Sequence, residues 1–210
     1  MQRGVKETGR RSLKNIMVEK VDPDTQLMLR FQAGDEKSFE QLVERNKQKV
    51  LNLVYRFLGA WQDSEDIAQE VFIKVYRARK TYKPIAKFIT WLYIICKTTC
   101  YQELRKRKLK IVSLSDDKAL ADGPVGRQIT DKSSPSPLGS VLQDERTIAV
   151  KEAIDSLPDS QKMALILRKY EHLSYLEISE VMECTEKAVK SLLYRAKQGL
   201  KERLKDFLKK

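Results

Sequence analysis

Two short apolar-periodic stretches separated by a three-residue polar break lie near the end of this chain, and they constrain its fold more than any other feature. Leu176 to Met182 and Ala188 to Ala196 each carry apolar residues at helical spacing, with Glu183-Cys184-Thr185 between them. Two amphipathic helices joined by so brief a turn must cross steeply, which is the layout of a helix-turn-helix. The second helix then faces outward with Lys187, Lys190, Ser191, Tyr194 and Arg195. Side chains of these types reach phosphates and the base edges of a major groove. The implied partner is DNA.

Charge agrees with that implication. The 210 residues hold 41 Lys and Arg against 29 Asp and Glu, a formal charge of +12. This is the electrostatic footprint of a nucleic-acid binder. A basic protein without such a partner is the competing account, and the helix-turn-helix makes it the weaker one. The length allows one or two domains, and few Gly and Pro outside one stretch favour long helices. No apolar run approaches the ~18–20 residues of a membrane span. Basic Met1 to Arg11 leads into no apolar h-region, so neither membrane insertion nor a secretory signal is expected.

Cys96, Cys100 and Cys184 lack the spacing of a disulfide framework and suit a reducing cytoplasm. Cys96 and Cys100 stand one helical turn apart. With no further ligand nearby they read as buried apolar side chains rather than metal ligands. His172, the one histidine, reads as a turn residue. No nucleophile–base pair, phosphate-binding glycine loop or carboxylate dyad is present. The expectation is therefore a protein that is not an enzyme, with no cofactor, no metal and no small-molecule substrate.

Along the chain, residues 1–21 read as a basic flexible extension. Asp22-Pro23-Asp24 opens a helix containing Leu27, Leu29 and Phe31, which ends at Gly34-Asp35. A second helix, from about Lys37 to Leu58, ends at Gly59. The next begins with Asp63, Ser64, Glu65 and Asp66, where capping and the helix dipole favour acids. Ile67, Val71, Phe72 and Val75 form its inward stripe, while Asp66, Gln69, Glu70 and Ile73 lie wholly or partly elsewhere. Capping explains the first-turn acids. Gln69-Glu70 beside an outward Ile73 points instead to a protein-binding surface.

A loop from Thr81 to Phe88 leads into a helix that carries Trp91, Leu92 and Ile95 and continues to Arg105-Lys106-Arg107-Lys108. Aromatics followed by cations suit single-stranded nucleic acid, with rings stacking on bases and cations tracking the backbone. Trp91, Leu92 and Ile95 are assigned mainly to the core, and Tyr82 is the aromatic expected to be exposed. From Leu109 to Gly139, Ser, Asp, Gly and Pro dominate, as in an extended linker. Helical patterning returns at Val141, Leu157-Pro158 punctuates it, and a further helix precedes the helix-turn-helix.

The order of these segments resembles the bacterial RNA polymerase sigma factors of the extracytoplasmic-function group. The carriers are Gly34-Asp35 with Phe39-Glu40 and Leu42-Val43, Glu65 to Phe72, Thr90 to Ile95, Leu157-Pro158, Leu173 to Ile178, and Val189-Lys190-Ser191 with Arg195-Ala196. Each is weak alone; all in order form a strong signal covering nearly the whole chain after residue 20. The resemblance implies an all-α fold of two small helical domains joined by a flexible linker: region 2 over 22–108, linker over 109–140, and region 4 with the helix-turn-helix over 141–210.

It further implies that Asp66, Gln69, Glu70, Phe72 and Ile73 grip core RNA polymerase. Tyr82, Phe88, Trp91, Thr98, Arg105, Lys106 and Arg107 would recognise and open minus-ten promoter DNA. Arg168, Tyr175, Lys187, Lys190, Ser191, Tyr194 and Arg195 would read the minus-thirty-five element. An anti-sigma factor is a further partner by family analogy alone. The chain departs from the family pattern at Ile94, Thr98, Gln102, Ser179, Ala188 and Leu192, and at His172 and Glu183, where the family commonly has glycine. A stand-alone helix-turn-helix regulator would need only the C-terminal half. A single-strand-binding protein would leave the helix-turn-helix unexplained.

Overall fold

The computed structural model describes residues 22–59, 61–116 and 141–205. The N-terminal extension, the linker from 117 to 140 and the last five residues lie outside the described residues. Among the described residues, eight α-helices form two lobes. The N-terminal lobe holds α1 (Pro23–Gln32), α2 (Glu36–Leu58), α3 (Trp61–Arg77) and α4 (Phe88–Asp116), with a single 3-10 turn, Arg79–Thr81, between α3 and α4. The C-terminal lobe holds α5 (Val141–Asp155), α6 (Asp159–Lys169), α7 (Tyr175–Met182) and α8 (Glu186–Arg203). No described helix is long and apolar enough to cross a membrane. Helix α4 runs past Leu109, where composition begins to read as linker, as far as Asp116.

Local chemistry sets the helix ends. Asp22 caps α1 by accepting from the Thr25 amide at 3.2 Å, with Pro23 in the first turn, where its missing N–H costs nothing. Asp35 caps α2, accepting from the Lys37 amide at 3.1 Å and the Ser38 hydroxyl at 2.7 Å, and those bonds hold its carboxyl below the usual range. Gly59 ends α2 at φ +80°, a left-handed conformation that glycine adopts without steric cost. Asp24, 6% exposed, pins α1 to α2 by accepting from Arg45 at 2.5 Å and Asn46 at 3.0 Å. This gives a buried carboxylate the partners it requires.

The core is shared. Met28, Phe31, Leu42, Phe57, Val71 and Phe88 fill the first lobe, and the same continuous cluster runs into Met163, Ile166, Leu173, Ile178 and Val181 of the second. A smaller cluster of Leu157, Leu165 and Ala196 closes the far side of the C-terminal lobe. Gly199 lies there; a Cβ on it would meet Leu157 at 3.3 Å, so a small residue lets α8 approach that closely. Cys96 and Cys100 are fully buried in the shared core. Burial pushes both thiols up, that of Cys100 to about 12, so they behave as small apolar side chains.

Candidate functional site

Three surfaces carry the residues singled out by sequence. The first lies across α2 and α3. Ile67, Val71 and Val75 turn inward and are buried, leaving Asp66, Gln69 and Ile73 exposed, Ile73 at 49%. Phe72 is 9% exposed and belongs mostly to the core, although its edge still lines the surface. Glu70 is half-buried and pairs with Lys74 one turn on, at 2.9 Å. Phe39, Val43, Gln69, Phe72, Ile73, Tyr76 and Arg77 line an apolar groove of about 460 Å³. Phe39 stacks on Phe31 at 4.7 Å, and Tyr76 meets Phe39 edge-on at 5.3 Å, which makes the groove floor rigid. Sequence reading missed Phe39, Val43 and Tyr76 as surface residues. Their helical period looks inward, and only the angle between α2 and α3 leaves the groove uncovered.

The second surface is the α3–α4 loop and the outer face of α4. Here the structure corrects one expectation: Tyr82 is 3% exposed. Gln32 donates to the carbonyls of Arg79 at 3.0 Å and Tyr82 at 3.2 Å, and the Phe88 amide donates to Thr25 at 3.2 Å. The loop is thereby drawn onto α1, and the Tyr82 ring packs edge-on against Trp91 at 4.9 Å. Burial raises the Tyr82 phenol above its ordinary range. Phe88 is fully buried beside it, so neither ring is available for stacking on a base, while Trp91 keeps a half-exposed edge. The residue the loop does expose is Ile85, at 86%, with Lys83 and Lys87 exposed nearby.

On α4, Thr98, Arg105 and Lys106 are exposed. Thr98 returns its hydroxyl to the Ile94 carbonyl at 2.9 Å, and Gln102 accepts from Lys74 at 2.9 Å. Arg107 does not stand free: it holds Asp63 at 2.7 Å and Glu103 at 3.1 Å, tying α4 to the start of α3. Both carboxylates belong to its own lobe, so Arg107 acts in this structure as a tether between helices.

The third surface is the helix-turn-helix formed by α7 and α8. Ser174 caps α7 in a reciprocal box: the Glu177 amide donates to Ser174 Oγ at 3.2 Å, and the Ser174 amide donates to Glu177 at 2.9 Å. Thr185 caps α8 by accepting from the Ala188 amide at 3.2 Å. The two departures from glycine keep a glycine backbone: His172 sits at φ +55° and Glu183 at φ +54°. Non-glycine residues occupy that region at a steric cost. Ile178, Val181 and Val189 are buried; Lys187, Lys190, Ser191, Tyr194 and Arg195 share the solvent face of α8. Tyr175 joins that face, its ring 5.2 Å from the Arg168 guanidinium and 5.9 Å from the Lys190 ammonium. Arg168 also donates to the Leu173 carbonyl at 2.7 Å, so it fixes the α6–α7 turn as well as edging this surface.

Between the lobes lies a set of contacts that sequence reading did not anticipate. The Tyr93 hydroxyl donates to Glu171; Lys87 pairs with Glu177 at 2.9 Å, Lys97 with Glu183 at 2.6 Å, and Lys108 with Asp159 at 3.1 Å. Arg56 stacks over Tyr170 at 4.0 Å. The Lys87 bond, with the Ser174 amide, holds the Glu177 carboxyl down at about 2. Lys97 lowers Glu183 in the same way, while burial and then Glu171 raise the Tyr93 phenol. No local pattern could reveal these pairs, because the members of even the nearest pair, Lys108 and Asp159, lie 51 residues apart.

A capped helix-turn-helix with a basic face on one lobe, together with an apolar groove on the other, fits a DNA-binding protein built to work on another protein. Comparison with known proteins identifies the class. The model of sigma-70 region 2 matches residues 42–110, and that of sigma-70 region 4 matches residues 147–200. The RNA polymerase sigma-H factor of Pseudomonas aeruginosa is 34% identical over 191 residues, covering 90% of this chain and 97% of the relative. The sigma-E factor of Escherichia coli K12 is 34% identical over 188 residues, covering 89% and 97%. Among solved structures, CnrH in complex with the cytosolic domain of CnrY superposes with a TM-score of 0.63 at 20% identity, over 88% of this chain and 99% of that one. RpoE of Bartonella quintana with the anti-sigma factor NepR gives 0.60 at 22%, over 80% and 98%. The chain belongs to the extracytoplasmic-function sigma factors. It is an alternative sigma factor, an initiation factor rather than an enzyme, that binds RNA polymerase and promoter DNA.

Proposed function

We propose a division of labour among the three surfaces. The α2–α3 groove, lined by Gln69, Phe72 and Ile73, docks core polymerase together with Asp66 and Glu70 on the same helix. An apolar groove lined by Phe72 and Ile73, with the carboxylates Asp66 and Glu70 on the same helix of a protein of charge +12, fits a basic protein helix. Thr98, Arg105 and Lys106, with the half-exposed edge of Trp91, meet the minus-ten strand. Ile85 at the loop tip supplies an apolar wedge of the kind that unstacks base steps. Lys187, Lys190, Ser191, Tyr194 and Arg195 read the minus-thirty-five duplex, with Arg168 and Tyr175 at its edge. Residues 22–116 act as the first unit and residues 141–205 as the second.

The observation that carries this reading is the coexistence in one chain of a solvent-open basic face on α8 and an uncovered apolar groove on the other lobe. A stand-alone regulator has no use for the groove. An anti-sigma factor is proposed as a second partner, in keeping with the complexes formed by CnrH and by RpoE of Bartonella quintana. The site of action is the cytoplasm, where polymerase and promoters are found.

The test is run-off transcription on a genomic library with cognate core polymerase, with and without this protein, followed by sequencing of the starts. Protein-dependent starts that share two upstream elements are expected. Starts indifferent to the protein, with polymerase shown active by another sigma factor, would overturn the reading.

A further inference from the structure

Among the described residues, at least four polar contacts cross between the lobes, and in these four the acid comes from one side. Glu171, Glu177, Glu183 and Asp159 belong to the C-terminal lobe; Tyr93, Lys87, Lys97 and Lys108 belong to the other. Of the three lysines Lys97 is the most enclosed, its side chain 8% exposed beneath the turn of the helix-turn-helix. Lys97, Tyr101, Arg105 and Lys108 follow one stripe of α4, about 16 Å long at ~1.5 Å per residue. The C-terminal lobe roofs this stripe at both ends. Met182 and Glu183 face Lys97, Thr98 and Arg105, while Asp159 and Ser160 face Arg105 and Lys108.

We propose that Lys87, Lys97 and Lys108 are additional phosphate ligands of the minus-ten strand, and that Glu177, Glu183 and Asp159 occupy them as phosphate stand-ins while the lobes are closed. The inference rests on the assignment of α4 to minus-ten DNA. Carboxylate and phosphate are both oxyanions and take the same charge-assisted bonds from an ammonium group. The closed molecule also cannot serve both promoter elements. Sites ~25 base pairs apart are about 85 Å apart at ~3.4 Å per pair, whereas here the helix-turn-helix turn touches α4. The 24 residues from 117 to 140 can span about 80 Å when extended. Opening the lobes therefore both reaches the promoter and frees the lysines. At Glu183 a side chain is kept on a left-handed backbone, and its carboxylate meets Lys97.

The test uses the full chain and a fluorescein-labelled oligothymidylate of about twelve nucleotides, read by anisotropy at several salt concentrations. The clasp variant is Glu177→Gln with Glu183→Gln; Gln preserves the capping box at 177. The control, Glu180→Gln with Glu202→Gln, removes as much charge from exposed sites in the same lobe. The clasp variant is expected to bind about three- to tenfold more tightly than wild type, the size expected from losing two partly exposed pairs. The control is expected to change binding less than about twofold, and adding Lys97→Gln to the clasp variant abolishes the gain. Binding no tighter than the control, or a gain that survives Lys97→Gln, overturns the proposal. Thermal melts establish that the variants fold. Thr98→Ala and Arg105→Ala in the clasp background separate the two readings. If neither weakens binding while the Lys97-dependent gain persists, the minus-ten assignment of those residues fails and the masking stands.

Discussion

Replacing each of the two left-handed non-glycine residues by glycine yields opposite expected signs, and the contrast measures the lobe clasp. A left-handed L-residue costs about 1–2 kcal/mol, and glycine returns that cost while loosening the unfolded chain by about 0.4–1 kcal/mol. His172 is exposed, so His172→Gly is expected to stabilise by about 0.5–1 kcal/mol. Glu183→Gly gains the same backbone relief but strands Lys97, whose side chain is 8% exposed. An orphaned buried donor costs about 1–3 kcal/mol, more when charged. Glu183→Gly should therefore fall about 1–3 kcal/mol below His172→Gly and end near or below wild type. Because one core joins the lobes, urea unfolding followed by far-UV circular dichroism should show a single transition for all variants. Adding Lys97→Met to Glu183→Gly replaces the stranded ammonium with an apolar chain and should recover most of the loss. If Glu183→Gly gains as much as His172→Gly, the Lys97 pair contributes nothing and the reasoning fails.

The other predictions are shorter. Ile73→Asp and Glu70→Lys should each weaken core-polymerase binding about tenfold or more with unchanged thermal melts, because both lie at the surface of α3; unchanged affinity in a pull-down titration would remove the groove assignment. Arg107→Ala should cost about 1 kcal/mol of stability through loss of Asp63 and Glu103, whereas Arg105→Ala should leave stability alone and weaken DNA binding; the reverse pattern would restore Arg107 as a DNA ligand. Arg195→Ala should weaken duplex promoter binding more than polymerase binding, and equal losses would argue against its DNA role. Glu177 has a folded pKa of about 2, below the ordinary 4.5, so its contribution is complete above pH 4.5 and disappears as pH falls toward 2. With Lys87 64% exposed that contribution is worth at most about 1 kcal/mol. Urea midpoints should fall across that window, less steeply in Glu177→Gln; identical slopes would refute the linkage.

What sequence could reveal here follows the range of the interaction. Caps, the Gly59 stop, the inward stripe of α3 and the helix-turn-helix break are set within about four residues, and the pattern displays them directly. His172 as a turn residue was legible for the same reason. Tyr82 was not: aromatic residues in loops read as exposed, but Gln32 and Thr25, which bond loop residues 47 to 63 positions away in sequence, draw this loop down. The pairing of Arg107 was hidden in the same way, because its carboxylate Asp63 lies 44 residues earlier. The docking groove required the crossing of α2 and α3, and the clasp required the packing of whole lobes.

The distribution of ion pairs refines what the charge of +12 means. On α4 and its loop, Lys87, Lys97, Arg107 and Lys108 are engaged by described carboxylates. On α8, Lys187, Lys190 and Arg195 are exposed and make no ion pair with a described residue. Exposed cations release phosphate counterions at full value, whereas paired ones must first give up a carboxylate. Added salt weakens the carboxylate pairs and the phosphate contacts together, so part of its effect cancels on α4 and none cancels on α8. Duplex binding through α8 should therefore fall more steeply with salt than single-strand binding through α4. Glu177→Gln with Glu183→Gln should remove the cancellation and steepen the single-strand slope toward about 0.7 per phosphate contacted. A single-strand slope that is unchanged by those substitutions would mean that Lys87 and Lys97 meet no phosphate, and that α4 acts on DNA through its other cations, Arg105 and Lys106 first.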